Sequence, residues 1–251
     1  MRFLRECSIV FRRQLRMNLR NPAWVIIGML QPVLYLVLFG PLLKPLVTQF
    51  GVTNAYTFFV PGLLVQLGIF GAFFAGFSLI GEWREGVIEA ERVTPASRTA
   101  LLVGRLWRDV LQLFVQAVIL VLLGWALGMN ASFKGAVFGI LLTLVVGGAC
   151  AAASNALGLA TKSEDVMAPV INMVMMPVLL LSGILLPMTI GPHWLLRTSD
   201  FMPFRHIVDA VRTSFLGKFD GSEMAWGSGW AVLLCALAVW WGTSTFRKES
   251  A

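Results

Sequence analysis

Between Arg20 and Glu82 the chain carries a single charge, Lys44. A charged side chain at bilayer depth costs about 2.5–3.5 kcal/mol, so a run this free of charge is the pattern of membrane-spanning segments. Further charge-free runs cover residues 110–133, 135–161, 166–196 and 224–246. Only 13% of the 251 residues are charged and 57% are hydrophobic, whereas soluble domains carry about 25% charge. The mean hydropathy is +0.78. A disordered chain, a disulfide scaffold and a water-soluble enzyme are excluded. The sequence predicts an all-α integral membrane protein forming a single domain over 1–251.

A helix needs about 20 apolar residues to cross the hydrocarbon core. The first charge-free run is long enough for two helices divided near Lys44-Pro45. Six spans are predicted, near 23–43, 57–80, 107–128, 135–161, 167–189 and 225–246. With both termini on one side, that side receives fourteen of the 20 Lys and Arg residues and the other side six. The positive-inside rule then places both termini in the cytoplasm. This asymmetry accounts for most of the net charge of +7 and leaves no folded basic domain to bind nucleic acid.

The first twenty residues lack the apolar stretch of a signal peptide. Leu4, Phe11, Leu15 and Leu19 share one helical face, with Arg5, Arg12 and Arg16 on another. An amphipathic helix on the inner leaflet is expected, followed by Asn21-Pro22 at the start of the first span. The segment after span two, Glu82-Trp83-Arg84-Glu85-Gly86 through Thr94-Pro95, predicts a short cytoplasmic helix ending before the proline. Residues 190–223 form the other long loop, where Phe204, Ile207, Val208, Val211 and Phe215 mark one face of a second amphipathic helix. Arg205, Asp209 and Arg212 lie opposite. This helix is too charged to span, and it is expected to lie in the outer interface or to dip in and return.

Within the predicted spans the polar residues are read as uncharged. Gln66, Asn155, Asn172 and Ser182 are candidates for a substrate path, with interhelical hydrogen bonding as the competing role. The absence of intramembrane charge argues against an ion-driven carrier. Gly68, Ala72 and Gly76 in span two, and Cys150, Ser154 and Gly158 in span four, set small residues on single faces where backbones can approach. Pro169, Pro177 and Pro187 permit bends in span five. Cys7, Cys150 and Cys235 form no metal or redox motif, and two histidines offer little acid–base chemistry. No G-x-x-x-x-G-K-[ST] loop occurs, so nucleotide-driven work needs another polypeptide.

The Glu82-Trp83-Arg84-Glu85-Gly86 … Val93-Thr94-Pro95 segment, followed by Leu181-Ser182-Gly183-Ile184-Leu185-Leu186-Pro187 and Met202-Pro203-Phe204, resembles the ABC-2 type permeases. These are the membrane subunits of ABC exporters, and the likeness is greatest to the daunorubicin-resistance-like branch. The resemblance implies a coupling helix docking on a separate ATP-binding subunit, a role that falls on Glu82, Arg84, Glu85, Gly86, Glu89 and Glu91. It also implies a homodimer of the permease above two ATPase subunits, which carry the ATP and Mg2+. This chain would bind no cofactor or metal and would catalyse nothing. The expected setting is the bacterial plasma membrane and the expected cargo a lipophilic drug or metabolite. A lipid-linked glycan or polysaccharide remains the alternative cargo, and an ATP-independent channel or carrier the alternative mechanism.

Overall fold

A computed structural model describes residues 2–20, 23–47, 54–87, 98–185, 188 and 191–248. Among these residues the secondary structure is entirely helical. The helices are α1 (Arg2–Arg20), α2 (Ala23–Val47), α3 (Ala55–Phe73), α4 (Ala75–Arg84) and α5 (Arg98–Ala126). They continue with α6 (Phe133–Thr161), α7 (Glu164–Leu181), α8 (His193–Asp200), α9 (Pro203–Phe215) and α10 (Ser222–Lys248). Among the described residues five segments are long and apolar enough to cross a membrane: Ala55–Arg84, Val103–Ala126, Phe133–Thr161, Glu164–Leu181 and Ser222–Thr245. The 25-residue α2 is a further apolar helix.

The centre of the bundle is α6, packed against α3, α4, α5, α7, α9 and α10. The two rows of small residues let it approach α3 and α4. A Cβ at Gly68 would press on Thr143, and one at Gly76 would collide with the backbone oxygen and hydroxyl of Ser154. The core is continuous from Tyr56 and Phe59 through Leu64, Val146 and Met175 to Val211 and Phe215. By contrast α2, α7 and α10 turn large apolar side chains outward; Met173 is 80% exposed and Trp240 71%. In lipid such faces cost nothing, since acyl chains are as apolar as the side chains they touch.

Helix α1 runs to Arg20 and packs along α5. Its Arg5, Arg12, Arg13 and Arg16 face outward, while Cys7 and Gln14 are buried. Phe11 meets Trp107 edge-on at 6.3 Å. Span two is one stretch of 30 residues, but its hydrogen-bond ladder breaks at Phe74, between α3 and α4. The cause is a side chain inserted into the ladder. The Ser154 hydroxyl of α6 donates to the Phe73 carbonyl oxygen at 2.5 Å and accepts from the Gly76 amide at 3.0 Å.

Three expectations require correction. A continuous helix from Glu82 to Thr94 does not form, because α4 ends at Arg84 and Gly86 turns the chain at φ +73°. The Glu85 amide donates to the Gly81 oxygen and that of Gly86 to the Trp83 oxygen, so the terminal carbonyls are satisfied by a turn that glycine adopts without steric cost. The spans are also not free of charge. Helix α5 begins at Arg98, which brings Arg105, Arg108 and Asp109 into the same helix as the charge-free run that follows. Span five ends at Leu181, short of the predicted residue 189.

Candidate functional site

The end of span two is held by a knot of charge. Glu82, in the last turn of α4, takes both Nε and Nη2 of Arg105 on Oε2, at 3.0 and 2.7 Å. Its Oε1 accepts from Gln14 Nε2 of α1 at 2.9 Å. Arg108 Nη1 donates to Gln14 Oε1 at 2.8 Å, while its Nε and Nη2 donate to Asp109 Oδ1 at 2.9 and 2.7 Å. The side chains of Arg105 and Glu82 are only 3% and 12% exposed. Three helices are thereby tied to one carboxylate. The arrangement can survive burial because nearly every donor and acceptor in it is matched. Arg84 lies outside the knot in an exposed pair with Glu164 at 3.0 Å.

Beside the knot lies a cavity of about 380 Å³. Its walls are Phe74, Phe77 and Ser78 of span two, Arg108, Asp109 and Gln112 of α5, and Glu164 at the start of α7. A void of about 30 Å³ adjoins it, bounded by Asp109, Gln112, Gln116 and Gly147.

At the opposite end of the bundle α9 lays Ile207, Val208, Val211 and Phe215 against the core, all essentially inaccessible. The sequence placed Arg212 on the polar side of this helix, yet the structure turns it inward. Its guanidinium sits 3.9 Å from the centre of the Phe58 ring. Its Nη2 donates to the Gly183 and Ile184 oxygens at 2.7 and 3.2 Å, and Nε donates to the Phe58 oxygen at 3.3 Å. Gly62 makes room for this, because a Cβ there would strike the Ile184 carbonyl. Arg212 thus joins the start of span two, the end of α7 and α9. Burial lowers its pKa to about 10, against the opposing charge of Asp209. Burial likewise raises the Asp209 carboxyl, although Arg212 and Arg205 pull it down. A cavity of about 330 Å³ lies here, lined by Phe58, Ser182, Asp209 and Arg212 among others. His206 bonds to the Asp200 oxygen through Nε2 at 2.9 Å and stacks on Trp230.

The predicted site residues separate into distinct settings. Glu82 turns into the knot, where its carboxylate is engaged by Gln14 and Arg105 of its own chain. Arg84 and Glu85 are exposed at the end of α4, and Gly86 forms the turn. Glu89 and Glu91 lie outside the described residues. Of the four path candidates, Ser182 lines the cavity beside Arg212. Gln66 and Asn155 are buried and line none of the three cavities, and Asn172 faces outward. Sequence reasoning missed Arg105, Arg108, Asp109 and Gln14. The signal for the three on α5 was the placing of Arg108 and Asp109 one helical turn after Arg105, just ahead of an apolar run.

A multi-pass helical membrane protein with its charge gathered at two ends of an apolar bundle is the class these features define. Residues 5–216 match the family described as ABC-2 type transporter, and the chain belongs to that family of membrane transport components. It is 29% identical over 220 residues to the daunorubicin resistance ABC transporter permease protein DrrB1 of Streptomyces coeruleorubidus, covering 86% of this chain and 75% of the relative. It is also 29% identical over 218 residues to a protein named transport permease ycf38 from Cyanophora paradoxa, covering 84% and 74%. Identity to YbhR of Escherichia coli (strain K12), named as a multidrug ABC transporter permease, is 26% over 180 residues, or 70% and 48% of the two chains.

Proposed function

We propose that this chain is the permease subunit of an ATP-driven exporter that carries a lipophilic small molecule out of the cell. ATP and Mg2+ are held by a separate ABC ATP-binding subunit, present in two copies beneath two copies of the permease. The family match and the names of the drug-resistance relatives support this reading. In it α2 supplies a sixth span, both termini face the cytoplasm of a bacterial plasma membrane, and the outward apolar faces of α2 and α7 meet lipid and the second copy.

The observation that carries the mechanism is the end of span two. A helix rooted in the core finishes in exposed Arg84 and Glu85, while Glu82 one turn earlier binds it to α1 and α5. A push from an ATPase on Glu85 would travel along α4 into the bundle instead of being lost in a slack loop. The test is purification of the chain with its co-expressed ATP-binding subunit. Wild type retains the ATPase; Glu85→Arg releases it or uncouples hydrolysis from transport while the chain still inserts. Unchanged co-purification and transport would remove the coupling assignment.

A further inference from the structure

We infer that the cavity beside Asp109 is a binding site for a lipophilic cation, with Asp109 as the residue that selects for positive charge. This rests on the exporter reading for its role in transport, but the binding itself needs only this chain. Asp109 Oδ1 is occupied by Arg108, whereas Oδ2 is buried with no hydrogen-bond partner among the described residues. A buried carboxylate oxygen left unpaired is costly, and a cation brought alongside it offsets that cost in a low-dielectric setting.

The surroundings fit a body as well as a charge. The cavity of about 380 Å³ falls in the range of about 300–1,000 Å³ typical of small-molecule pockets. Phe74 and Phe77, with ring centres 6.0 Å apart, form one wall, and aromatic faces attract cations as well as apolar groups. Glu164 adds a second carboxylate, paired with the exposed Arg84. Arg108 also borders the cavity, but its Nε, Nη1 and Nη2 are bonded to Asp109 and Gln14. The positive charge in the wall is committed and one negative oxygen is not. Charge complementarity therefore favours a cation over an anion or a neutral lipophile.

The experiment is equilibrium binding of labelled tetraphenylphosphonium to the purified full-length chain in phosphatidylcholine nanodiscs, with the shape-matched anion tetraphenylborate as competitor. Wild type should bind the phosphonium saturably and resist the borate. Asp109→Asn should bind it roughly tenfold or more weakly, the worth of one charge-assisted contact. Ser78→Trp adds bulk at the span-two wall of the cavity while leaving every charged side chain in place, and it should abolish phosphonium binding even if the Asp109 variant does not fold. No saturable binding by wild type, equal binding of both ions, or full binding by either folded variant would each overturn the site. Loss of the site with ATP-driven transport of a neutral lipophile intact would leave the exporter reading standing. Phosphonium binding without any ATPase coupling would do the reverse.

Discussion

Replacing Ser154 by alanine tests whether one hydroxyl holds the break in span two. The side chain is fully buried, and its oxygen serves the Phe73 carbonyl and the Gly76 amide together. Removing it leaves two backbone groups without partners in a setting that water does not reach, at about 1–3 kcal/mol for each buried group left unsatisfied. Part of that is recovered, because the freed groups can close toward Phe77 and Ala72 and restore the ordinary ladder. Hydrogen bonds between membrane helices are also worth only about 0.6 kcal/mol on average when measured. The expected net loss is therefore about 1–2 kcal/mol, read as a lower midpoint in denaturant titration of the purified chain. Hydrogen exchange should rise at Gly76. Thr143 supplies the control on the same helix, since its hydroxyl is buried with no partner among the described residues. Thr143→Val removes that liability at nearly constant volume and should be neutral or stabilising. If Ser154→Ala were as stable as wild type, or Thr143→Val the more damaging of the two, the inserted-hydroxyl explanation of the break would be refuted.

Arg105→Ala strands Glu82 in a buried position and should cost about 3–5 kcal/mol, while Arg84→Ala removes an exposed pair worth under about 1 kcal/mol; comparable losses in thermal unfolding would contradict the knot. Arg212→Met leaves three backbone oxygens without their donor, and hydrogen exchange near residues 183–185 should rise while that near Glu82 stays as in wild type. Because burial raises the Asp209 carboxyl above its ordinary value of 3.8, the folded state holds that proton more tightly than the unfolded state does. The contribution of Asp209 is then most favourable below the usual carboxylate range and declines as pH rises through the raised pKa. Asp209→Asn should remove that decline from a stability–pH series, and an identical series for wild type and variant would refute it.

Charge counting located the helices well because the bilayer penalty acts on each residue by itself and needs no knowledge of the partners. The same method began the charge-free run of span three at Val110 and read the polar residues of the span as uncharged, and so failed at Arg108 and Asp109, which lie inside the predicted 107–128. A charge is excluded from a helix end only if nothing neutralises it, and the neutralising groups come from α1 and α4, remote in sequence. Facing rows of small residues were legible from spacing alone, whereas the use of Ser154 as an inserted partner was not, since the break it serves lies on another helix. Arg212 was misread for a related reason. Helical periodicity places it opposite the apolar face of α9, but the carbonyls that draw it inward belong to segments far away in the chain. Gly86 could have been foreseen as a helix terminator, and the Val87–Ile88 apolar spacing concealed it.

The sorting of polar groups bears on what can cross. Arg105, Arg108, Asp109 and Glu82 gather at one end, and Arg205, Asp209 and Arg212 at the other. Between them the residues buried around α3 and α6 are uncharged, and the amide groups of Gln66 and Asn155 retain buried atoms without partners. A hydrophilic cargo would have to shed its water there with few groups to replace it, at several kcal/mol for each polar group left unpaired. A lipophile bearing one charge would have to part from Asp109 before crossing this uncharged stretch. Affinity at that residue therefore opposes release, and a variant binding the cation more weakly should be saturated later but turn over faster whenever leaving Asp109 limits the cycle.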